Sequence, residues 1–154
     1  MSLVRALILF LALSVPALGC EGPAGLATLR SGLLTLTNTQ RSAAGLVPLV
    51  ADARLEAVAQ AQACHMAGRE RLTHRGRWFA GLGRRLRREG YAYALAVENI
   101  GEGHETAAAI VAGWMESPSH RENMLADGLR AVGYGVARAA NGRLHWSMVA
   151  AAER

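Results

Sequence analysis

The stretch "WMESPSHRENML", residues 114–125, decides how the second half of this chain folds. The residues that lead into it carry apolar side chains at i, i+3, i+4 and i+7, namely Ala107, Ile110, Val111 and Trp114. This spacing predicts an amphipathic helix. Pro118 clashes with a helical backbone at the residue before it, so the helix should end at Ser117.

A new short helix is predicted directly after this break. Residues 119–122 read Ser-x-x-Glu, the pattern of a capping box, in which Ser119 caps the helix and Glu122 reaches back to it. His120 would then occupy the first helical position. The local sequence leaves two interpretations of His120 open: a polar residue that happens to start a helix, or a side chain presented to a functional site.

Two further helices are predicted near the start of the chain. Pro23 precedes the first and Gly45 follows it, and its leucines share one face: Leu26, Leu29, Leu33 and Leu36. The second, "DARLEAVAQAQACHMA", begins at the capping residue Asp52 and ends at Gly68. Its apolar stripe consists of Leu55, Ala59, Ala63 and Met66.

The middle and the end of the chain add a weaker helix and strands. Helical spacing persists through "WFAGLGRRLRREG" in spite of its glycines, at Phe79, Leu82 and Leu86. The next stretch, "YAYALAVENI", is typical of a strand. Asn141-Gly142 lies between two alternating runs and predicts a C-terminal β-hairpin.

The N-terminus has the three parts of a secretory signal peptide. Arg5 supplies a positive charge, "ALILFLALSV" is an apolar run of ten residues, and "ALG" before Cys20 offers small residues for cleavage. Ten residues are too few to cross a hydrocarbon core of roughly 30 Å as a helix, which disfavours a permanent membrane anchor. We therefore expect residues 1–19 to be removed and residues 20–154 to form one domain.

The two cysteines of the chain, Cys20 and Cys64, allow two interpretations. In an oxidising compartment an even number of thiols favours a disulfide. Closing such a loop stabilises a fold by about 4 kcal/mol in the chain-entropy model. Alternatively, "ALGC" resembles a lipobox, in which case Cys20 would be acylated and Cys64 would be a small buried residue. We expect the disulfide and no lipid anchor.

The chain is basic, with a net charge of +5, and all 17 basic residues are arginines. Eight of them fall within twenty positions: Arg69, Arg71, Arg75, Arg77, Arg84, Arg85, Arg87 and Arg88. The run lacks the interleaved aromatic residues that stack on bases, so we expect no nucleic-acid partner. A solvated, partly ion-paired face is the main interpretation, and attraction to an anionic envelope surface is the alternative.

One ordered set of residues resembles a known domain. The set is His74, then Glu98-Asn99, then Trp114-x-x-Ser117-x-x-His120-Arg121-x-Asn123, then Val132-Gly133-Tyr134-Gly135. It resembles the SCP domain of the CAP superfamily, named for cysteine-rich secretory proteins, antigen 5 and plant pathogenesis-related proteins, and above all its bacterial exported branch. The resemblance extends over almost all of residues 20–154, including "LTNTQR" in the first helix. It implies an α+β fold, a three-layer α/β/α sandwich with a C-terminal β-hairpin.

The resemblance also implies a cleft with two histidines and two acidic residues that sometimes holds a divalent metal. His74 and His120 match the histidines and Glu98 matches one acid. These three are the candidate metal ligands, with zinc or another divalent metal as the candidate cofactor. Ser117 stands where the second acid is usual, with Glu116 one position away. Two imidazoles and one carboxylate are still a competent zinc ligand set.

Two functions are candidates for this cleft. The first is a non-catalytic secreted module that binds a small ligand, a lipid or an envelope component. The second is a metal-dependent hydrolase of peptide or cell-envelope polymer. We favour the first, because the site lacks a separate general base, and we name no catalytic residue. The candidate ligand-binding residues are His74, Glu98, Ser117, His120 and Asn123.

The expected surroundings of the protein follow from the same features. We expect an exported monomer, periplasmic or extracellular, with no transmembrane segment in the mature chain. Asn99, Arg121 and Asn123 should orient the cleft through hydrogen bonds. His65, His104 and His145 are expected to lie outside it.

Overall fold

The computed structural model describes Cys20 and residues 22–154. The helices of this part of the chain are α1 (Leu26–Ala43), α2 (Ala53–Ala67), α3 (Leu82–Arg88), α4 (Ala107–Glu116) and α5 (Pro118–Met124). Its strands are β1 (Val50–Ala51), β2 (Tyr93–Glu102), β3 (Ala131–Arg138) and β4 (Leu144–Glu153). A 3-10 turn, Arg77–Phe79, lies between α2 and α3. The signal peptide expected at residues 1–19 lies outside the described residues.

The strands form one mixed sheet in the order β1-β3-β4-β2. Strands β2 and β3 both pair antiparallel with β4, and the short β1 pairs parallel with β3. Because successive side chains of a strand point to opposite sides, each face of the sheet buries its own set of residues. Helices α1, α4 and α5 cover one face, and α2 and α3 cover the other. The predicted three-layer α+β sandwich with a C-terminal hairpin is confirmed.

Helix α2 lies close against β3 because two glycines leave no side chains between them. A Cβ atom at Gly133 would collide with the backbone of Leu55 and Glu56, and one at Gly135 would collide with the backbone of Ala59. Two glycines separated by one residue face the same side of a strand, which lets the helix pack along it. The predicted stripe of α2 is buried in this contact: Leu55, Ala59, Ala63 and Met66.

The predicted ends of the first two helices are confirmed. The Asp52 carboxylate accepts hydrogen bonds from the backbone N–H groups of Arg54 and Leu55 at 2.8 and 3.1 Å, so it caps α2 as expected. Gly68 directly follows the last residue of α2. Gly45 follows α1 with a φ of 72°, a left-handed conformation that glycine adopts without strain.

Two local predictions are wrong. Helix α5 begins at Pro118, and no side-chain hydrogen bond caps it. Proline suits the first position of a helix, where no amide hydrogen is needed, so α5 starts before a capping box at Ser119 can form. His120 consequently lies at the third helical position rather than the first. The helix predicted from residue 78 is also shorter, because Trp78 adopts a left-handed φ of 57° and α3 starts only at Leu82.

The hairpin between β3 and β4 turns where the sequence predicts it. The Ala139 N–H donates to the Arg143 carbonyl at 2.9 Å, and the Gly142 N–H donates back to the Ala139 carbonyl at 3.0 Å. Gly142 has a φ of 84°. Asn141-Gly142 therefore lies in a short turn that ends with a left-handed glycine.

A disulfide joins Cys20 to Cys64, as predicted. Cys64 lies on α2, whereas Cys20 precedes α1, so the bond ties the start of the described chain to the opposite helical layer. Within residues 20 and 22–154, none of the helices has both the length and the hydropathy that crossing a membrane requires.

Candidate functional site

The candidate site is built on β2, the strand at one edge of the sheet. Glu98 and Asn99 pair with Val149 and Met148 of β4. Val149 belongs to the core beneath α2 and α3, and Met148 belongs to the core beneath α1, α4 and α5. Glu98 therefore faces one helical layer and Asn99 faces the other. The loop after α2 and the helix α5 meet this edge from the two sides.

Glu98 is a buried carboxylate with two side-chain partners. Its Oε1 lies 2.9 Å from Nδ1 of His74, and its Oε2 accepts a hydrogen bond of 2.5 Å from Nη2 of Arg85. The Glu98 and Arg85 side chains are 4% and 9% exposed, whereas the His74 side chain is 60% exposed. Both carboxylate oxygens are engaged, and Nε2 is the His74 nitrogen that does not contact Glu98.

Arg85 belongs to this site, although it is not among the site residues predicted from the sequence. Its Nη2 also approaches the His74 carbonyl at 3.4 Å. Its Nε and Nη1 are buried and find no hydrogen-bond partner among the described residues. Arg85 is one of eight arginines in a short run, so its residue type alone does not distinguish it from its neighbours. Its position three residues after Leu82 and next to Leu86, on the apolar face of α3, is the signal that distinguishes it.

The two candidate histidines have pKa values displaced in opposite directions. The hydrogen bond with Glu98 raises the pKa of His74 above its ordinary value, against the effect of burial. Burial lowers the pKa of His120, and the nearby charge of His74 lowers it further. The charge of His74 therefore acts on His120, and His120 is the histidine more readily held neutral.

Side-chain amides fasten α5 to the edge strand. Nδ2 of Asn123 donates to the Glu98 carbonyl at 3.2 Å and to Oδ1 of Asn99 at 2.9 Å. Nδ2 of Asn99 donates in turn to the His120 carbonyl at 2.9 Å. An edge strand has backbone carbonyls without a strand partner, and Asn123 satisfies one of them. Asn99 and Asn123 thus hold α5 against β2, whereas Arg121, of which the same was expected, is exposed and its side chain bonds to none of the described residues.

Trp114 fixes α4 to the same edge. Its Nε1 donates to the Ile100 carbonyl at 3.1 Å, and the residue is 2% exposed, as expected for the apolar face of the predicted helix. Helix α4 ends at Glu116 and α5 begins at Pro118. Because α4 is held at β2 and α5 follows it after Ser117, α5 also lies against β2.

Arg41, in the "LTNTQR" stretch of α1, holds the other end of α5. This fully buried residue donates from Nη1 to the carbonyls of Met124 and Ala126 at 2.9 and 3.0 Å, and from Nε to the Val47 carbonyl at 3.0 Å. A cation near the C-terminus of a helix interacts favourably with the helix dipole. This part of α1 therefore contributes to the site by fixing the helix that carries His120.

The remaining residues named from the sequence have simpler environments. Ser117 lies at the junction of α4 and α5, partly exposed, and its carbonyl accepts from the Arg121 N–H at 2.8 Å. Glu116 is exposed. The other histidines are His65 on α2, His104 in the loop after β2, and His145, which is buried on β4 with Nε2 3.2 Å from Oε2 of Glu102.

The arrangement of these side chains limits how a metal could bind. Within Cys20 and residues 22–154, no three histidine, cysteine, aspartate or glutamate side chains are grouped so as to hold a metal ion. Because both carboxylate oxygens of Glu98 already contact His74 and Arg85, the imidazoles of His74 and His120 are the groups of this site that remain to bind a metal. Glu98 fits the role of an outer carboxylate that orients a metal-binding histidine. Two imidazoles bind zinc less tightly than the three protein ligands usual in zinc enzymes.

Comparison with known proteins decides the family. The model of the cysteine-rich secretory protein family, CAP, matches residues 34–150. The chain belongs to the CAP family. The match runs from α1 into β4 and includes every candidate site residue of this CAP protein.

Relatives of this CAP protein occur in bacteria. "Uncharacterized protein YkwD" of Bacillus subtilis is 29% identical over 115 residues, which are 75% of this chain and 45% of that protein. An extracellular protein containing a SCP domain from Bacillus anthracis is 27% identical, with a TM-score of 0.69 over 85% of this chain and 44% of that structure. This chain therefore spans less than half the length of both.

A more distant structure shows the same fold over its whole length. It is an outer surface protein from Borrelia burgdorferi, which is 18% identical and has a TM-score of 0.79. The similarity covers 88% of this chain and 100% of that one.

Proposed function

We propose that this CAP protein is an exported, non-catalytic binding module. Its cleft, formed by His74, Glu98 and His120, would take a small ligand, a lipid or a component of the cell envelope. The observation that carries the proposal is the double engagement of Glu98 by His74 and Arg85. A general base must reach the proton that it abstracts, and this carboxylate is buried and already bonded through both oxygens. Ser117 supplies no second carboxylate.

Two observations support export. The Cys20–Cys64 disulfide is of a kind that persists in oxidising compartments. The related Bacillus anthracis structure is that of an extracellular protein. We place this protein in the periplasm or outside the cell, as a monomer.

A divalent metal forms part of this proposal, with His74 and His120 as its ligands. The contact between His74 Nδ1 and Glu98 leaves Nε2 for a metal. The lowered pKa of His120 favours the neutral imidazole that metal binding requires. A bound zinc ion would supply an electrophilic position for an anionic or carbonyl group of the ligand. Glu98 would orient the His74 ring through Nδ1, and Arg85 would hold the Glu98 carboxylate in place.

Zinc titration by calorimetry at neutral pH tests the metal site. We expect binding to the unaltered protein and none to the His74→Ala/His120→Ala variant. Glu98→Gln should weaken binding about 10- to 100-fold, the usual effect of losing an outer partner of a ligand. Complete loss in Glu98→Gln would instead make Glu98 a direct ligand. No binding to the unaltered protein would reject the metal and leave a hydrogen-bonded cleft.

The competing function is a metal-dependent hydrolase that acts on peptide or cell-envelope polymer. In this alternative Glu98 would bind the metal directly, together with His74 and His120, instead of only orienting His74. Turnover of such a substrate by the unaltered protein, lost in a His120→Ala variant that still folds, would overturn the non-catalytic proposal. A ligand that raises the melting temperature without being converted would support it.

A further inference from the structure

The basic run is much less ion-paired than expected. Among the described residues, Arg85 is the one member of the run that forms a salt bridge, and it does so with Glu98. The other seven arginines are exposed: Arg69, Arg71, Arg75, Arg77, Arg84, Arg87 and Arg88. Glu70 is the one acidic residue between positions 69 and 88, and its carboxylate accepts a hydrogen bond from the Asn141 N–H. This segment therefore presents a dense positive charge to solvent.

The same segment exposes two large apolar side chains. Trp78 is 76% exposed and Leu72 is 40% exposed. Trp78 also has a positive φ of 57°, which is uncommon for a bulky residue. The other tryptophans of the chain, Trp114 and Trp146, are 2% and 0% exposed. Exposure of an indole ring is therefore peculiar to this segment.

A cavity of about 150 Å³ lies between Trp78 and the arginines. Arg69, Arg71 and Arg75 line it together with Trp78 and His65, and no acidic residue of the described chain lines it. Burial, followed by the charges of neighbouring arginines, lowers the pKa of His65. The cavity thus has a positive potential and a wall of aromatic surface.

We propose that this segment docks on an anionic phospholipid membrane. The docking residues form an arginine–tryptophan surface that consists of Arg69, Arg71, Leu72, Arg75, Arg77 and Trp78. Arginines are attracted to anionic headgroups, and tryptophan rings favour the boundary between headgroups and acyl chains. A lipid phosphate entering the cavity would meet guanidinium groups, which bind phosphate through paired hydrogen bonds. Docking uses none of the cleft residues, so the inference goes beyond the proposed function.

The apolar side chains favour a membrane over a soluble anionic polymer. A polymer would satisfy the charges of Arg71 and Arg75 but would leave Trp78 and Leu72 largely in water. A membrane neutralises the same charges and also removes both apolar side chains from water, which adds a hydrophobic contribution to binding.

Vesicle binding tests the inference on the disulfide-bonded protein. We expect sedimentation with vesicles of phosphatidylglycerol and phosphatidylcholine at low salt, weaker binding as salt increases, and none with pure phosphatidylcholine. Tryptophan emission should shift to shorter wavelength on binding. Because Trp114 and Trp146 are buried, this shift reports the transfer of Trp78 out of water.

Two variants with the same charge change separate this surface from net charge. Arg71→Gln/Arg75→Gln should weaken vesicle binding roughly tenfold or more. Arg130→Gln/Arg154→Gln removes two exposed charges where β3 begins and β4 ends, and should leave binding almost unchanged. The arginine–tryptophan surface lies toward the other end of the sheet. It follows Ala67, the last residue of α2, which packs beside the hairpin residues Ala137 and Ala139. Trp78→Ala should remove the emission shift and weaken binding.

Equal loss of binding in the two arginine variants would overturn the inference, because net charge alone would then explain it. Binding to dextran sulfate without binding to any vesicle would also overturn it and would identify a soluble anionic polymer as the partner. A folded His120→Ala variant should bind vesicles as the unaltered protein does. Failure of the cleft and failure of this surface are thereby distinguished.

Discussion

At the scale of single residues, the site depends on a buried pair of opposite charges. Removing one member of such a pair leaves the other buried without a partner. We expect Glu98→Ala and Arg85→Ala each to lower the free energy of unfolding by about 3 to 5 kcal/mol. The double variant should cost less than the sum of the two. Chemical denaturation measures all three values.

The exposed neighbour Arg84 provides the matched control for this cycle. Arg84→Ala should change the free energy of unfolding by no more than about 0.5 kcal/mol. Strictly additive costs of Glu98→Ala and Arg85→Ala would show that the two side chains do not act as a pair.

The two cleft histidines should titrate on opposite sides of the ordinary histidine pKa of 6.5. NMR titration of the metal-free protein should place the pKa of His74 above this value and that of His120 below it. Glu98→Gln should bring the pKa of His74 down, because the charged hydrogen-bond partner is lost. His74→Ala should raise the pKa of His120 by removing a neighbouring positive charge. Identical titration of both histidines in every variant would contradict this coupling.

The same displacements give opposite effects on stability. Folding raises the pKa of His74, so its stabilising contribution is complete below the unfolded pKa and is lost as the pH rises through the folded pKa. Folding lowers the pKa of His120, so this residue costs no stability above its unfolded pKa and destabilises increasingly as the pH falls toward its folded pKa. The loss of stability on the acid side should therefore be smaller in a His120→Ala variant, and the part that remains belongs to other groups such as His65, whose pKa is also lowered.

At the scale of elements, the Gly-x-Gly pair of β3 sets the distance to α2. We expect Gly133→Ala to lower the free energy of unfolding by about 3 kcal/mol, because the added methyl group meets helix backbone, which cannot rotate away. Thermal and chemical denaturation measure the effect. Gly81→Ala is the matched control, since Gly81 has a φ of −70° and open space around its Cβ position. A cost for Gly133→Ala no greater than that of the control would show that α2 moves aside freely.

Strong amphipathic patterns account for the elements that the sequence predicts correctly. Helices α1, α2 and α4 each bury one regular stripe, and the hairpin has a specific turn dipeptide. Strand β1 is missed, because two residues are too few to show alternation. The start of α5 is misplaced, because two competing helix starts lie within three residues: a proline at the first position and a capping box behind it.

The residues of the site are predictable in type but not in their partnerships. His74, Glu98 and His120 are identified because the ordered set to which they belong resembles the SCP domain, and their spacing alone would not identify them. The engagement of Glu98 by Arg85 depends on how α3 packs on the sheet, which no spacing along the chain reveals. The buried role of Arg41 likewise appears only when α1 and α5 are placed side by side.

At the scale of the whole molecule, the Cys20–Cys64 disulfide closes a loop with a sequence separation of 44. We expect reduction, or the Cys20→Ser/Cys64→Ser variant, to lower the free energy of unfolding by about 4 kcal/mol, chiefly by freeing the unfolded chain. Denaturation with and without reductant measures this change. The serine variant is its own control, since reductant should not affect it. Intact mass of the exported protein should be two hydrogens below that of the reduced form, whereas free thiols or an acylated Cys20 would contradict the bond.

The edge position of β2 has a consequence for how the molecule opens. Glu98 and Asn99 are adjacent in the chain yet face different helical layers, and His74 and His120 reach the same edge from those two sides. A ligand bound to both histidines would join the two helical layers across the β2 edge of the sheet. Its binding free energy would oppose detachment of either layer. We therefore expect the amide hydrogens of the two layers to exchange as one cooperative unit when the ligand is bound.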